Sequence, residues 1–158
     1  MAEILDELKS EVLGERENAT TKAQDAARIA LGLMLATAGT SHLTFAREDF
    51  KAQVPDWVPL EKDTVVLQSG VVEIALGSAL ILLPKQKRLV GLVAGAFFTA
   101  IFPGNVSQYT QRRSAFGLDT DEKRFARLFF QPLLVAWALW STGACDRRKD
   151  GTAIEGDR

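Results

Sequence analysis

Four long windows of this chain are almost free of charged residues. They are Ile29–Ala46, Thr64–Pro84, Leu89–Gln111 and Leu128–Cys145, and their single charged residue is Glu73. The whole chain has 19 Lys and Arg and 20 Asp and Glu, so nearly all of its charge lies outside the windows. A surface helix of a soluble domain needs a polar face, whereas these windows are apolar or small all round. Each window is long enough to cross a hydrocarbon core of roughly 30 Å as a helix.

The windows predict an all-α integral membrane protein built as an antiparallel four-helix bundle. Lipid offers no partners for backbone N–H and C=O groups, so each crossing is expected to be a helix. The link 85–88 between the second and third windows is so short that these two helices must form an antiparallel hairpin. The predicted parts are a polar, amphipathic N-terminal segment (1–25), a transmembrane domain (26–145) with spans at about 28–46, 64–84, 89–108 and 127–145, and a polar tail (146–158).

The positive charges near the helix ends predict how the bundle is oriented. Eleven Lys and Arg fall on the side of both termini and eight on the other side, which favours cytoplasmic termini. The segment 47–63 then lies outside, and its alternating charged and apolar residues predict a lid along the outer interface. The second outer loop, 112–127, is predicted to face solvent.

Six polar residues at the outer ends of the spans are the candidate ligand-binding or proton-binding residues. Counting about 1.5 Å per helical residue from the outer end of each window puts them at similar depths, with Glu73 deepest at roughly 13 Å. All four helices contribute to this set, which comprises His42, Ser69, Glu73, Asn105, Arg127 and Gln131. Polar groups are costly in lipid, and an ionisable one there is by default a functional-site hypothesis.

Helical spacing supports the same grouping. Ser69 and Glu73 are four residues apart and share a face, as do Arg127 and Gln131. Pro103 is predicted to interrupt the third span just before Asn105. The structural alternative for most of these side chains is an interhelical hydrogen bond, and for Arg127 it is a boundary residue that snorkels to the interface. Their convergence at one level favours a site.

Composition argues against several other classes of protein. The net charge of -1 lacks the basic excess of a nucleic-acid-binding protein. One His and one Cys cannot supply a zinc site, a redox dithiol or an iron–sulfur centre, so we expect no metal site. Gly91 and Gly95 form a small-residue pair that favours packing inside the bundle, with a homodimer through this pair as the alternative.

Short motifs occur in order along all four spans. They are Gly39-Thr40-Ser41-His42, Phe50 and Pro55, the run from Ser69 to Gly77, Phe102-Pro103-Gly104-Asn105, and Arg127 with Gln131. These motifs resemble those of the DoxX-like family of small four-helix bacterial membrane proteins. The resemblance covers roughly 26–143, with Leu43 and Phe129 as departures. The resemblance implies a multi-pass protein of the bacterial plasma membrane. It also implies association with a membrane or peripheral oxidoreductase, because relatives resemble subunits of a thiosulfate:quinone oxidoreductase.

Three functions fit these features. The first is a membrane subunit or scaffold of an oxidoreductase system, whose polar cluster receives a quinone-like headgroup or another small amphiphile. The second is a proton-coupled small-molecule carrier with Glu73 as the coupling carboxyl, although four helices without an inverted repeat offer little machinery for alternating access. The third is a structural accessory subunit without a ligand. No autonomous catalytic motif is evident, and no cofactor is expected beyond a possible quinone substrate.

Overall fold

The computed structural model describes residues 20–145, and the described part of the chain is all-helical, as predicted. Its elements are α1 (Lys22–Leu43), the short α2 (Arg47–Lys51), α3 (Lys62–Leu82), a 3₁₀ turn (Pro84–Gln86), α4 (Lys87–Thr110) and α5 (Asp121–Ser141). The predicted N-terminal amphipathic segment, up to residue 19, and the polar tail from residue 146 lie outside the described residues.

The ends of the long helices follow local chemistry. Thr21 and Gln24 form a capping box at the start of α1, in which each side chain bonds the backbone N–H of the other. Thr120 caps α5 by accepting a hydrogen bond from the N–H of Lys123. Asp121 in the first turn adds a favourable interaction with the helix dipole. The fourth long helix therefore begins six residues before the predicted span at 127.

The prediction that Pro103 interrupts the third span was wrong. Helix α4 runs through it from Lys87 to Thr110. Proline removes one backbone donor, so the carbonyl of Thr99 lacks its usual partner inside the helix, but the rest of the ladder continues. Pro132 is likewise accommodated within α5.

Glycines bring the four long helices together as two antiparallel pairs. In the first pair, a Cβ added at Gly77 of α3 would lie 2.5 Å from the carbonyl oxygen of Gly32 in α1. In the second pair, Gly91 and Gly95 of α4 are buried against α5, where a Cβ at Gly95 would lie 3.3 Å from Leu139. The Gly91/Gly95 face thus packs within the same chain, as the bundle-packing interpretation predicts.

The two pairs are joined by an apolar core and by hydrogen bonds at the end of the molecule that holds the 3₁₀ turn, here called the turn end. There, the Gln24 side chain donates to the carbonyl of Trp140 at 2.8 Å, and the Trp137 indole donates to the carbonyl of Ala27 at 2.9 Å. The core between the pairs consists of Leu31, Leu35, Leu76, Leu80, Val90, Ala94, Phe98, Leu134 and Ala138. The opposite end, which carries the loops 44–61 and 111–120, is called the loop end.

Two of the described helical segments are long and apolar enough to cross a membrane. They are Lys62–Leu82 and Pro84–Thr110, the second and third predicted spans. The first and fourth long helices each begin with a charged turn, which includes Lys22 and Asp25 in α1 and Asp121 to Arg124 in α5.

Candidate functional site

A cavity of about 450 Å³ lies between the two helix pairs toward the loop end. All four long helices line it, and the segment 50–58 and Phe116 complete its wall. Most of the lining is apolar, including Leu35, Val66 and Leu134. The structure brings all six candidate residues into this one wall: His42, Ser69, Glu73, Asn105, Arg127 and Gln131. Their role in ligand binding stays a prediction, but their convergence is a feature of the fold.

The first helix pair contributes a buried acid–base group. His42 at the end of α1 and Glu73 in the middle of α3 are only 4% and 6% exposed. The Nδ1 atom of His42 lies 3.1 Å from the hydroxyl of Ser69, and its Nε2 atom lies 3.6 Å from Oε2 of Glu73. The spacing of Ser69 and Glu73, one turn apart on α3, places both beside the same imidazole ring.

The second helix pair contributes two amides that satisfy one another. The Asn105 side chain donates to Oε1 of Gln131 at 2.9 Å, and Nε2 of Gln131 donates to the carbonyl of Phe98 at 2.6 Å. Both amides are buried, and together they link α4 to α5. This contact is the interhelical alternative foreseen for both residues, although both still border the cavity.

Three side-chain atoms in the cavity wall are buried without a hydrogen-bond partner among the described residues. They are Nε2 of His42, Oε2 of Glu73 and Nε of Arg127. A buried donor or acceptor left unpaired costs about 1–3 kcal/mol, and more when it is charged. Three such atoms around one cavity are therefore a feature that a bound molecule would explain.

The segment 47–58 covers the loop end of the cavity, as the sequence predicts. The Phe50 ring packs between the rings of His42 and Phe116, with a centroid separation of 4.5 Å from Phe116. The Arg113 guanidinium donates to the carbonyl of Val54 at 2.9 Å. Gly104 of α4 gives this segment room, because a Cβ there would lie 2.7 Å from the carbonyl oxygen of Gln53.

Ion pairs hold the same lid from outside. Hydrogen bonds from Lys62 and Arg113 to Asp56 keep the pKa of its carboxyl below the usual range. Asp63, at the start of α3, pairs with both Arg47 and Lys51 of α2. These exposed pairs contribute little energy singly, but together they fix the lid to both helix pairs.

Parts of the second outer loop are more buried than the sequence predicts. The prediction that 112–127 faces solvent was wrong for Ala115 and Arg124, which are buried, whereas Phe116 lines the cavity and is still 40% exposed. Arg124 donates to the hydroxyl of Ser114 and to the carbonyls of Arg113 and Asp119, which folds the loop against α5. The signal for Phe116 was an aromatic residue in an otherwise polar loop.

Within residues 20–145, no group of three or more His, Cys, Asp and Glu side chains is placed to hold a metal ion. Cys145 is exposed at the turn end, away from the cavity. The arrangement supplies acid–base and hydrogen-bonding groups in an apolar cavity, which suits recognition of a polar headgroup carried on an apolar body.

Comparison with known proteins identifies a family. No curated protein and no solved structure matches the chain. A family model does match, over residues 31–142, a range that includes all six candidate residues and the lid. The chain therefore belongs to the family described as a domain of unknown function, DUF8561.

Proposed function

We propose that this protein is a multi-pass membrane protein that binds a small amphiphile in the cavity between its two helix pairs. One observation carries the proposal: three unpartnered polar atoms, on His42, Glu73 and Arg127, border a mostly apolar cavity of about 450 Å³. This volume lies within the usual range for small-molecule sites, and a few polar groups in an apolar wall are typical of such sites.

Exposed apolar side chains support immersion in lipid. Large apolar residues point outward from every long helix, and in water such a surface would drive aggregation. Examples with more than half of their surface exposed are Leu33, Val71, Leu82, Phe129 and Leu133. A membrane four-helix bundle with all four long helices as spans gives these side chains an apolar solvent.

The proposed topology has both termini in the cytoplasm and the cavity in the outer half of a bacterial plasma membrane. The sequence supports it, because eleven Lys and Arg fall on the side of both termini and eight on the other side, with three cations in the link 85–88. A cytoplasm-dependent reporter fused to the C-terminus is expected to be active. An inactive fusion with normal membrane levels would contradict this orientation.

The resemblance to DoxX-like proteins extends the proposal to a partner. In this form the protein is the membrane subunit or scaffold of an oxidoreductase, and its amphiphile is quinone-like or another lipid-soluble molecule that the partner uses. The acid–base pair His42 and Glu73 then exchanges protons with the headgroup, while Arg127 binds its oxygen atoms.

Purification from native membranes tests both parts of the proposal. The tagged full chain is isolated in a mild detergent, and mass spectrometry identifies co-purifying proteins and solvent-extracted small molecules. We expect one class of lipid-soluble molecule to be enriched with the wild type and at least tenfold reduced with Glu73→Gln, since a charged hydrogen bond is lost. Glu61→Gln, which changes an exposed carboxyl at the start of α3, is the matched control and is expected to retain the molecule. Equal small-molecule content in all three proteins contradicts the binding site.

A further inference from the structure

The hydrogen bonds of Ser69 indicate which nitrogen of His42 carries the proton in its neutral form. A hydroxyl group has one hydrogen to donate. The Ser69 hydroxyl donates it to the carbonyl of Val66, at 2.9 Å, within its own helix. With that hydrogen on Val66, the contact with Nδ1 of His42, at 3.1 Å, is one in which Nδ1–H donates and the Ser69 oxygen accepts. The Nε2 atom of the neutral ring is then an acceptor.

This tautomer places two acceptors side by side in the cavity wall. Nε2 of His42 and Oε2 of Glu73 are 3.6 Å apart, and neither has a donor among the described residues. Two lone pairs at this distance repel one another unless a hydrogen lies between them. A hydroxyl group that reaches both atoms would supply that hydrogen. This part of the wall, formed by His42 and Glu73, is called the acceptor pole.

The second helix pair, α4 and α5, contributes a buried donor that needs an acceptor. Nε–H of Arg127 is a buried donor with no acceptor among the described residues. The amide oxygen of Gln131, one turn further along α5, accepts from Asn105 and makes no hydrogen bond with Arg127 in the described structure. In the described structure, no hydrogen bond among the six candidate residues crosses from the first helix pair to the second. Arg127 therefore forms a donor pole that faces the cavity from α5.

We propose that the cavity selects an uncharged amphiphile that carries both a hydroxyl group and a carbonyl-type oxygen. Its hydroxyl donates at the acceptor pole, its carbonyl oxygen accepts from Arg127, and its apolar body fills the rest of the cavity. When Glu73 is ionised, its charge balances that of the Arg127 guanidinium, so an uncharged headgroup leaves no excess charge in the cavity. This inference rests on the proposed function and adds the chemical class of the ligand.

Matched benzophenones test both poles with the full chain in lipid nanodiscs. The probes are 3- and 4-hydroxybenzophenone, which carry both groups at two separations. 4-Methoxybenzophenone lacks the donor, and 4-benzylphenol lacks the carbonyl. We expect the better hydroxybenzophenone to bind about tenfold tighter than either control by equilibrium dialysis, because each control leaves one buried charged group unpaired. Irradiation of the bound ketone is expected to label residues in the cavity wall.

Variants assign each preference to its pole. Glu73→Gln is expected to abolish the preference for hydroxyl over methoxy but to keep the preference for the ketone. Arg127→Met is expected to abolish the preference for the ketone but to keep the preference for hydroxyl over methoxy. Arg112→Met, which changes an exposed cation of the adjacent loop, is expected to leave both preferences intact. Equal binding of all probes with labelling inside the cavity overturns this inference but leaves the proposed function standing. Absence of both binding and labelling in the cavity overturns both.

Discussion

Replacing Gly77 by alanine is expected to lower the free energy of unfolding by about 2 kcal/mol. The added Cβ would lie 2.5 Å from the carbonyl oxygen of Gly32 and 2.7 Å from the backbone nitrogen of Ala36. Both atoms belong to the backbone of α1, so neither can move aside without separating the two helices. Overpacking of this kind costs about 1–3 kcal/mol and occasionally more, and the better helix propensity of alanine offsets about 1 kcal/mol of it. Unfolding in mixed micelles, followed by circular dichroism, measures the change.

Gly95→Ala is the matched control, because it changes propensity by the same amount at another buried helical glycine. Its Cβ would meet Leu139 at 3.3 Å, and that side chain has freedom to adjust. We expect a stability within about 1 kcal/mol of the wild type. If both variants have equal stability, α1 and α3 do not pack in the described register.

Removing both unpaired charged groups from the cavity is expected to stabilise the ligand-free protein. The change is Glu73→Gln together with Arg127→Met. The new amide in Glu73→Gln has a hydrogen to donate to the acceptor Nε2 of His42, and Arg127→Met deletes a buried donor that has no partner. Relief of two unsatisfied buried groups amounts to about 2 kcal/mol. We expect a rise in Tm of roughly 5 °C in thermal unfolding, together with loss of ligand binding.

Gln131→Leu gives the contrast, because its amide is fully paired. The change removes the acceptor of Asn105 and the donor to the carbonyl of Phe98. We therefore expect it to destabilise the ligand-free protein by about 1–2 kcal/mol. The sign of the stability change then distinguishes the two kinds of side chain. Removing a binding group raises stability, whereas removing a structural group lowers it. A double variant at positions 73 and 127 that is less stable than the wild type would mean that these side chains support the fold.

The convergence of the candidate residues could be predicted because it depends on little more than helix geometry. Glu73, Asn105 and Gln131 are predicted to lie in the same half of the bundle, because a rise of about 1.5 Å per residue gives their depths from the outer ends of the spans. Antiparallel packing of the long helices then brings these halves together. The all-helical fold and the lid over the cavity follow from similarly local patterns.

Other features depend on contacts that a single sequence does not specify. The partners of the glycines are one example, because Gly91 is buried against α5 only through the tertiary fold. The Phe116 ring reaches the cavity because Arg124 folds its loop inward. The helix also continues through Pro103, although proline has a local preference to interrupt a helix.

Native mass spectrometry of the full chain, released from nanodiscs made with its own membrane lipids, tests the binding site most directly. We predict a single added mass per chain, shared across preparations and small enough for a cavity of about 450 Å³. The same mass is expected to be absent from the Glu73→Gln, Arg127→Met double variant and present in Gly95→Ala. A wild-type chain that carries no added mass, or a double variant that carries the same one, would contradict amphiphile binding in this cavity.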